Sequence, residues 1–273
     1  VSSSSEDILW RSRVPSEILA RPVVYNRNIV LVRTADGQIL GVDIKTGKIN
    51  WNYSKAIPAL TLRGSSPPIL SRSHFYTGLE NGRLIAMSPI DGEVAWDIAL
   101  TVPEGRSEIQ RLVDIDGRSE LYGRILYATS YHGRIAALDV TRGQILWARS
   151  FSSNTGVSVG TEAVYSSDDR GHVWALDRKN GATLWKQDKL QARSLTRPVI
   201  YRDFLMVGDV EGYVHVLSRF DGRFVARTQV DSAGILVPPI VDGDRVLVLT
   251  RGGTLASYTL EESVVYSDEE LFD

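Results

Sequence analysis

Residues 197–229 set the pattern that the rest of the chain repeats. "RPVI" (197–200), "FLMVGD" (204–209), "YVHVLS" (213–218) and "RFVART" (223–228) alternate apolar residues with others. That is the period of a half-buried strand, not of a helix. The turn-forming pieces "VEG" and "RFDG" separate them, and Pro198 stands where a strand opening tolerates a missing N–H. The pattern predicts four antiparallel strands in about 40 residues.

The unit recurs along the chain. Gly37, Gly82, Gly133, Gly171 and Gly212 are followed ten residues later by Gly47, Gly92, Gly143, Gly181 and Gly222. Four residues further on stand Trp51, Trp96, Trp147 and Trp185, with Ala226 as the exception. A degraded sixth copy begins at Gly253 and carries Ser263 in place of the second glycine, and Trp10 ends a copy whose beginning is missing. Successive tryptophans are 41, 45, 51 and 38 residues apart. Strand-only repeats of this length predict an all-β propeller of four-stranded antiparallel blades. Both glycines of each copy are expected in tight turns with positive φ. Each tryptophan (Trp10, Trp51, Trp96, Trp147, Trp185) is expected to begin the outer strand and dock between blades, because no blade buries its own face alone. Residues 1–260 then form one domain. The acidic tail 261–273 outruns the repeat and is read as poorly ordered.

If the repeat is scaffold, function belongs where the copies differ. Two connections from an outer strand to the next blade stand out. One runs from Tyr53 to Pro67 and contains Leu60, Thr61, Leu62, Arg63 and Gly64; the other, "LTVPEGRSEIQRLVDIDG" (100–117), is the longest insertion and contains Asp114 and Asp116. They serve consecutive blades, so they are expected side by side on one face. Apolar residues flanked by arginine and carboxylates suit a protein-binding hot spot. Leu60 and Leu62 either meet a partner or tuck beneath their own loop, and the residues leave both open.

Composition narrows the chemistry. Basic and acidic residues number 31 and 33, mixed along the chain, for a net charge of −2. No basic stripe points to nucleic acid and no polybasic run to anionic lipid. No apolar run reaches membrane-spanning length, and "VSSSSED" lacks the pattern of a signal peptide. The absence of cysteine removes disulfides, thiolate catalysis and zinc–thiolate sites. "DIDG" (114–117) lacks the third acidic position and flanking helices of an EF-hand. His74, His132, His172 and His215 fall in different blades without metal-ligand spacing, and His132 and His172, beside hairpin glycines, read as exposed. "NYS" (52–54) fits a glycosylation sequon, and neither a G-x-S-x-G elbow nor a P-loop occurs. No catalytic, cofactor or metal residue is assigned.

The form A-x-D-x-x-x-G-x-x-x-W, met by "ALDVTRGQILW" (137–147) and "ALDRKNGATLW" (175–185) and with one change by "GVDIKTGKINW" (41–51), resembles the tryptophan-docking repeat of propellers of the pyrroloquinoline-quinone (PQQ) type. That resemblance implies eight blades in an intact member, of which this chain covers about six; a smaller ring completed by residues 1–10 is the alternative. "LARPVV" (19–24), "LTLRG" (60–64), "SEIQRLVDID" (107–116) and "VGDVEGYVHVLSRFDGRFVARTQVDSAG" (207–234) more specifically resemble the BamB family of outer-membrane protein assembly factors. The resemblance implies a non-enzymatic scaffold on the periplasmic face of the outer membrane. It implies a POTRA domain of BamA as partner, contacted through Leu60, Leu62, Arg63, Asp114 and Asp116, with unfolded outer-membrane proteins as further clients; whether the aspartates meet the partner or brace Arg63 internally is left open by the sequence. Members are lipoproteins, and the anchoring cysteine is not in this chain. A PQQ-dependent dehydrogenase is the alternative, against which stands the missing cysteine pair that such enzymes carry over the quinone. A carbohydrate- or peptide-binding propeller is a third class, which no residue singles out.

Overall fold

The structure, a computed structural model, describes residues 8–55, 66–79, 81–101 and 113–259. Among these residues all regular structure is antiparallel β-sheet. Five four-stranded sheets span 23–53, 69–99, 120–151, 157–187 and 199–229, and a sixth, with three strands among the described residues, spans 240–258. They are blades 1 to 6, and strand order within each follows the chain. The strands of blade 5 are Val199–Tyr201, Phe204–Gly208, Tyr213–Ser218 and Phe224–Gln229, within two residues of the alternation in the sequence. First strands of neighbouring blades lie against one another, in blades 1 and 2, 3 and 4, and 5 and 6, so the first strand is innermost.

The apolar faces of the strands form slices of core between blades. Leu31 and Ile39 of blade 1 pack on Phe75, Ile85 and Met87 of blade 2. Tyr76, Leu84 and Ala86 pack on Leu126, Ala136 and Leu138 of blade 3. Blades 3 and 4, 4 and 5, and 5 and 6 repeat the arrangement. Each blade therefore needs its neighbour to remove its faces from water.

One contact recurs at every described interface except that of blades 5 and 6, where Ala226 replaces the tryptophan. The indole N–H of Trp10, Trp51, Trp96, Trp147 and Trp185 donates to the carbonyl of Ile44, Pro89, Val140, Arg178 and Arg219 at 2.8, 3.1, 2.9, 3.0 and 3.0 Å. Each acceptor lies three residues before the second glycine of the next copy. Those glycines have φ between 60° and 77°. A Cβ on any of them would lie 2.5–2.8 Å from an indole carbon. Glycine is required there by backbone conformation and by the ring stacked on it.

The rest of the motif follows from the same contact. The residue paired across the sheet with each tryptophan is small: Gly41 with Trp51, Ala86 with Trp96, Ala137 with Trp147, Ala175 with Trp185. One residue of the outer strand is skipped beside each pair, a β-bulge that aims the indole at the neighbouring blade. Where the tryptophan is lost, Ala226 pairs with the larger Val216, so bulk moves to the other strand. The motif's aspartate holds the turn: Asp43 Oδ1 accepts from the backbone N–H of Lys45 and Thr46 at 2.9 and 2.7 Å. Asp177 does the same for Lys179 and Asn180.

Two expectations are corrected. Trp51, Trp96, Trp147 and Trp185 are the third or fourth residue of their outer strands, not the first, because the bulge lies inside the strand, and Trp10 lies in no strand. Gly133 does not adopt positive φ; His132, at 49°, does so instead. Glycine is needed at 133 for space, since a Cβ there would strike the hydroxyls of Ser130 and Thr101. The expected outer strand of blade 6 and the tail lie outside the described residues.

Replacing Trp147 by alanine should destabilise the chain by about 3–5 kcal/mol, read as a lower urea midpoint. Gly181→Ala, which cannot relieve either constraint, should also unfold earlier, whereas an exposed alanine such as Ala182 should tolerate change.

Candidate functional site

Alternating strand direction sorts the loops onto two faces. Turns between third and fourth strands meet turns between first and second strands, as in Ile44 N–H to Asn28 O (2.8 Å) and Val140 N–H to Arg124 O (3.0 Å). The tryptophans dock on that side. Connections between blades meet turns between second and third strands: Leu100 N–H to Gly82 O (2.9 Å), Asp169 N–H to Ser152 O (3.0 Å), Val210 N–H to Arg193 O (3.0 Å). The described ends of both long connections lie on this second, loop-bearing face.

Leu60, Leu62 and Arg63 lie outside the described residues. The end of their connection is described, and it is buried. Ser66 O accepts from Arg33 Nη1 at 3.2 Å and from Thr77 Oγ1 at 3.1 Å. Ser66 Oγ donates to Gly117 O at 3.4 Å, which ties the first connection to the second. Arg33 closes the set with a bond to Thr77 Oγ1 at 3.3 Å. A cation with 1% of its surface exposed is stable only with such polar partners around it. Nothing in the repeat distinguishes Arg33, since only folding brings blades 1 and 2 and both connections around it.

The second connection is drawn inward by its apolar residues. Val113 and Ile115 are buried, and Ile115 fills the space above Gly78, where a Cβ would collide with it. Asp114 O accepts from Tyr131 N–H at 2.9 Å. Asp114 is carried in with its neighbours and has 0% of its surface exposed; Asp116 keeps some residue surface, but both its carboxylate oxygens are buried. The expectation that both aspartates offer their carboxylates on an open surface is therefore corrected, for Asp114 as a whole and for the carboxylate oxygens of Asp116.

Two further carboxylates organise this face. Asp168 accepts from the His172 ring Nδ1 (2.7 Å), Trp174 Nε1 (2.8 Å) and His172 N–H (2.8 Å). Asp209 accepts from His215 Nε2 (2.8 Å), Arg193 Nη1 (2.9 Å) and Tyr213 N–H (2.9 Å). Burial opposes ionisation of both acids. The hydrogen bonds outweigh it and hold both below the ordinary carboxylate range. His172 and His215 are therefore buried partners of aspartates and not exposed residues; His132 is exposed and stacks on Tyr131 at 3.9 Å. Among the described residues no group of three His, Cys, Asp or Glu is placed to hold a metal.

Radial four-stranded sheets, interlocked by indoles, define a tryptophan-docked β-propeller. A likeness to a europium-containing methanol dehydrogenase, TM-score 0.60 at 13% identity over 76% of this chain and 50% of that one, shows the shared fold alone. The family model described as outer membrane protein assembly factor BamB matches residues 1–187 and 181–265, and the chain belongs to that family. The BamB of Yersinia pestis is 38% identical over 92% of this chain and 64% of its own length. That of Pseudomonas aeruginosa is 44% identical over 75% of this chain and 54% of its own length. The crystal structure of BamB from Moraxella catarrhalis superposes with a TM-score of 0.85 at 30% identity, covering 91% of this chain and 74% of that one. The chain thus spans 64% and 54% of the length of these two curated relatives.

The Asp168 and Asp209 clusters set an acid limit. A carboxyl whose folded pKa lies below its unfolded value, near 4, contributes stability that is complete above that value and is lost as pH falls through the lower folded one. The urea midpoint should therefore drop as pH falls from about 5 to 3. Asp209→Asn should start lower at neutral pH and show a shallower acid slope.

Proposed function

We propose that this chain is a non-enzymatic scaffold of outer-membrane β-barrel assembly that docks a POTRA domain of BamA on its loop-bearing face. The observation that carries the reading is the Ser66–Gly117 bond, which fastens the ends of the two connections together. In this reading Leu60 and Leu62 enter an apolar pocket of the partner and Arg63 makes a charge-assisted contact. Asp116, its carboxylate oxygens enclosed, supports the contact from behind. Asp114, being enclosed, braces the connection from within. Family membership supports a place at the periplasmic face of the outer membrane, reached by a lipid anchor in the intact protein. Unfolded barrel clients would be held by strand addition to blade edges. The dehydrogenase alternative rests on fold likeness alone.

Calorimetric titration against the periplasmic region of BamA tests this. The chain should bind, and Leu62→Asp or Arg63→Glu should weaken binding by at least about a hundredfold, or roughly 3 kcal/mol, with a melting temperature within about 2 °C of the parent. Unchanged affinity in both variants, or loss of folding in them, would remove the connections from the contact.

A further inference from the structure

Beside the end of the second long connection, the loop-bearing face holds a cleft of about 520 Å³, the size of a site for a small molecule or a few peptide residues. It lies where the connections following blades 3, 4 and 5 converge. Leu195, Leu236, Pro238 and Tyr131 give it an apolar wall, and Arg197 lines it as its cation.

Arg197 stands two residues before the inner strand of blade 5, Val199–Tyr201. Arg118 occupies the same place before Glu120–Tyr122 of blade 3. The Arg197 guanidinium is fixed from the protein side: Nη1 donates to Val157 O at 3.3 Å and to Ser158 Oγ. Ser158 Oγ in turn donates to Pro198 O at 2.5 Å, so the inner strands of blades 4 and 5 clamp the side chain. Among the described residues Arg197 has no carboxylate paired with it, and Glu120 acts on it only at longer range. Glu120 is itself occupied, accepting from Val159 N–H at 3.2 Å.

A half-buried arginine with no acid of its own is expensive unless an anion joins it. Burial, and then the like charge of Arg118, bring its pKa down to about 10, with Glu120 offsetting part of the shift. The cleft is not a general anion trap. Asp168 and Asp169 also line it and would repel a polyanion such as nucleic acid. One carboxylate beside apolar side chains fits this lining, with Asn154 and Ser194 at the wall to meet main-chain amides. We propose that the cleft is a peptide site that takes a single carboxylate on Arg197 and an adjacent apolar side chain against Leu195, Leu236 and Pro238.

The carboxylate can be a peptide C-terminus or a Glu side chain, and three peptides separate these sources. Calorimetric titration of the whole chain would use N-acetyl-Ala-Val-Ala-Phe as the free acid, the same peptide as its amide, and N-acetyl-Ala-Glu-Ala-Phe amide. The free acid or the Glu peptide should bind at least about tenfold more tightly than the uncharged amide. Whichever does so names the source. Arg197→Gln should erase the preference, and Arg197→Lys, which keeps the charge, should retain part of it. The comparison of acid with amide on the unaltered chain needs no variant to fold. Equal binding of all three peptides, no binding up to millimolar concentration, a preference that survives Arg197→Gln, or full displacement by equimolar acetate would each overturn the proposal. BamA is absent from this experiment, so its outcome is independent of the docking reading.

Discussion

The indole N–H that reaches a carbonyl of the next blade is the contact on which the rest of this molecule depends. Each blade offers two apolar faces and can bury neither alone, so the stability of the chain lies at blade interfaces. Dispersion and burial favour pressing sheets together without fixing how they slide. The directed bond from Trp147 to Arg178 O, with the ring stacked on Gly181, sets both distance and register. At two interfaces the acceptor is used twice: Tyr127 Oη and Tyr165 Oη donate at 3.2 Å to the same Arg178 and Arg219 carbonyls. Both lone pairs of the oxygen are then engaged, which suits a buried acceptor.

That constraint divides the molecule by face. On the tryptophan side the turns are nearly copies of one another, because a positive-φ glycine, an aspartate or serine at the turn and an indole leave little freedom. On the other side the connections need only span from an outer strand to the next inner strand. They vary in length and content, and they carry the features that break the repeat: the two long connections, the buried Arg33 set and the Arg197 cleft. Asp168 and Asp209 give this variable face firm footings by tying a turn to the strand that follows it.

Much of this was legible in the sequence because its cause is local or repeated. The G-x-x-x-W spacing, the small residue before the motif's aspartate and the strand alternation describe contacts that recur at each tryptophan-docked interface. Gly133 misled because its neighbourhood, not its own φ, demands glycine. His172 misled for a similar reason: Asp168 is close in sequence, but the burial of the pair was not legible there. Leu60–Arg63 and Asp114–Asp116 were visible as departures from the repeat. The depth of Asp114 was not, since it follows from Ile115 occupying the space over Gly78 in another blade.

By itself, then, the sequence determined the blade, its repeat and its means of attachment, because spacing and residue size along one strand pair suffice to specify them. Tertiary structure decided which polar groups share a space. Arg33 with Ser66 and Gly117, and Arg197 with Ser158, join residues 33 to 51 positions apart. No local pattern encodes such meetings, because their partners are chosen by how blades stack and not by how any one of them folds.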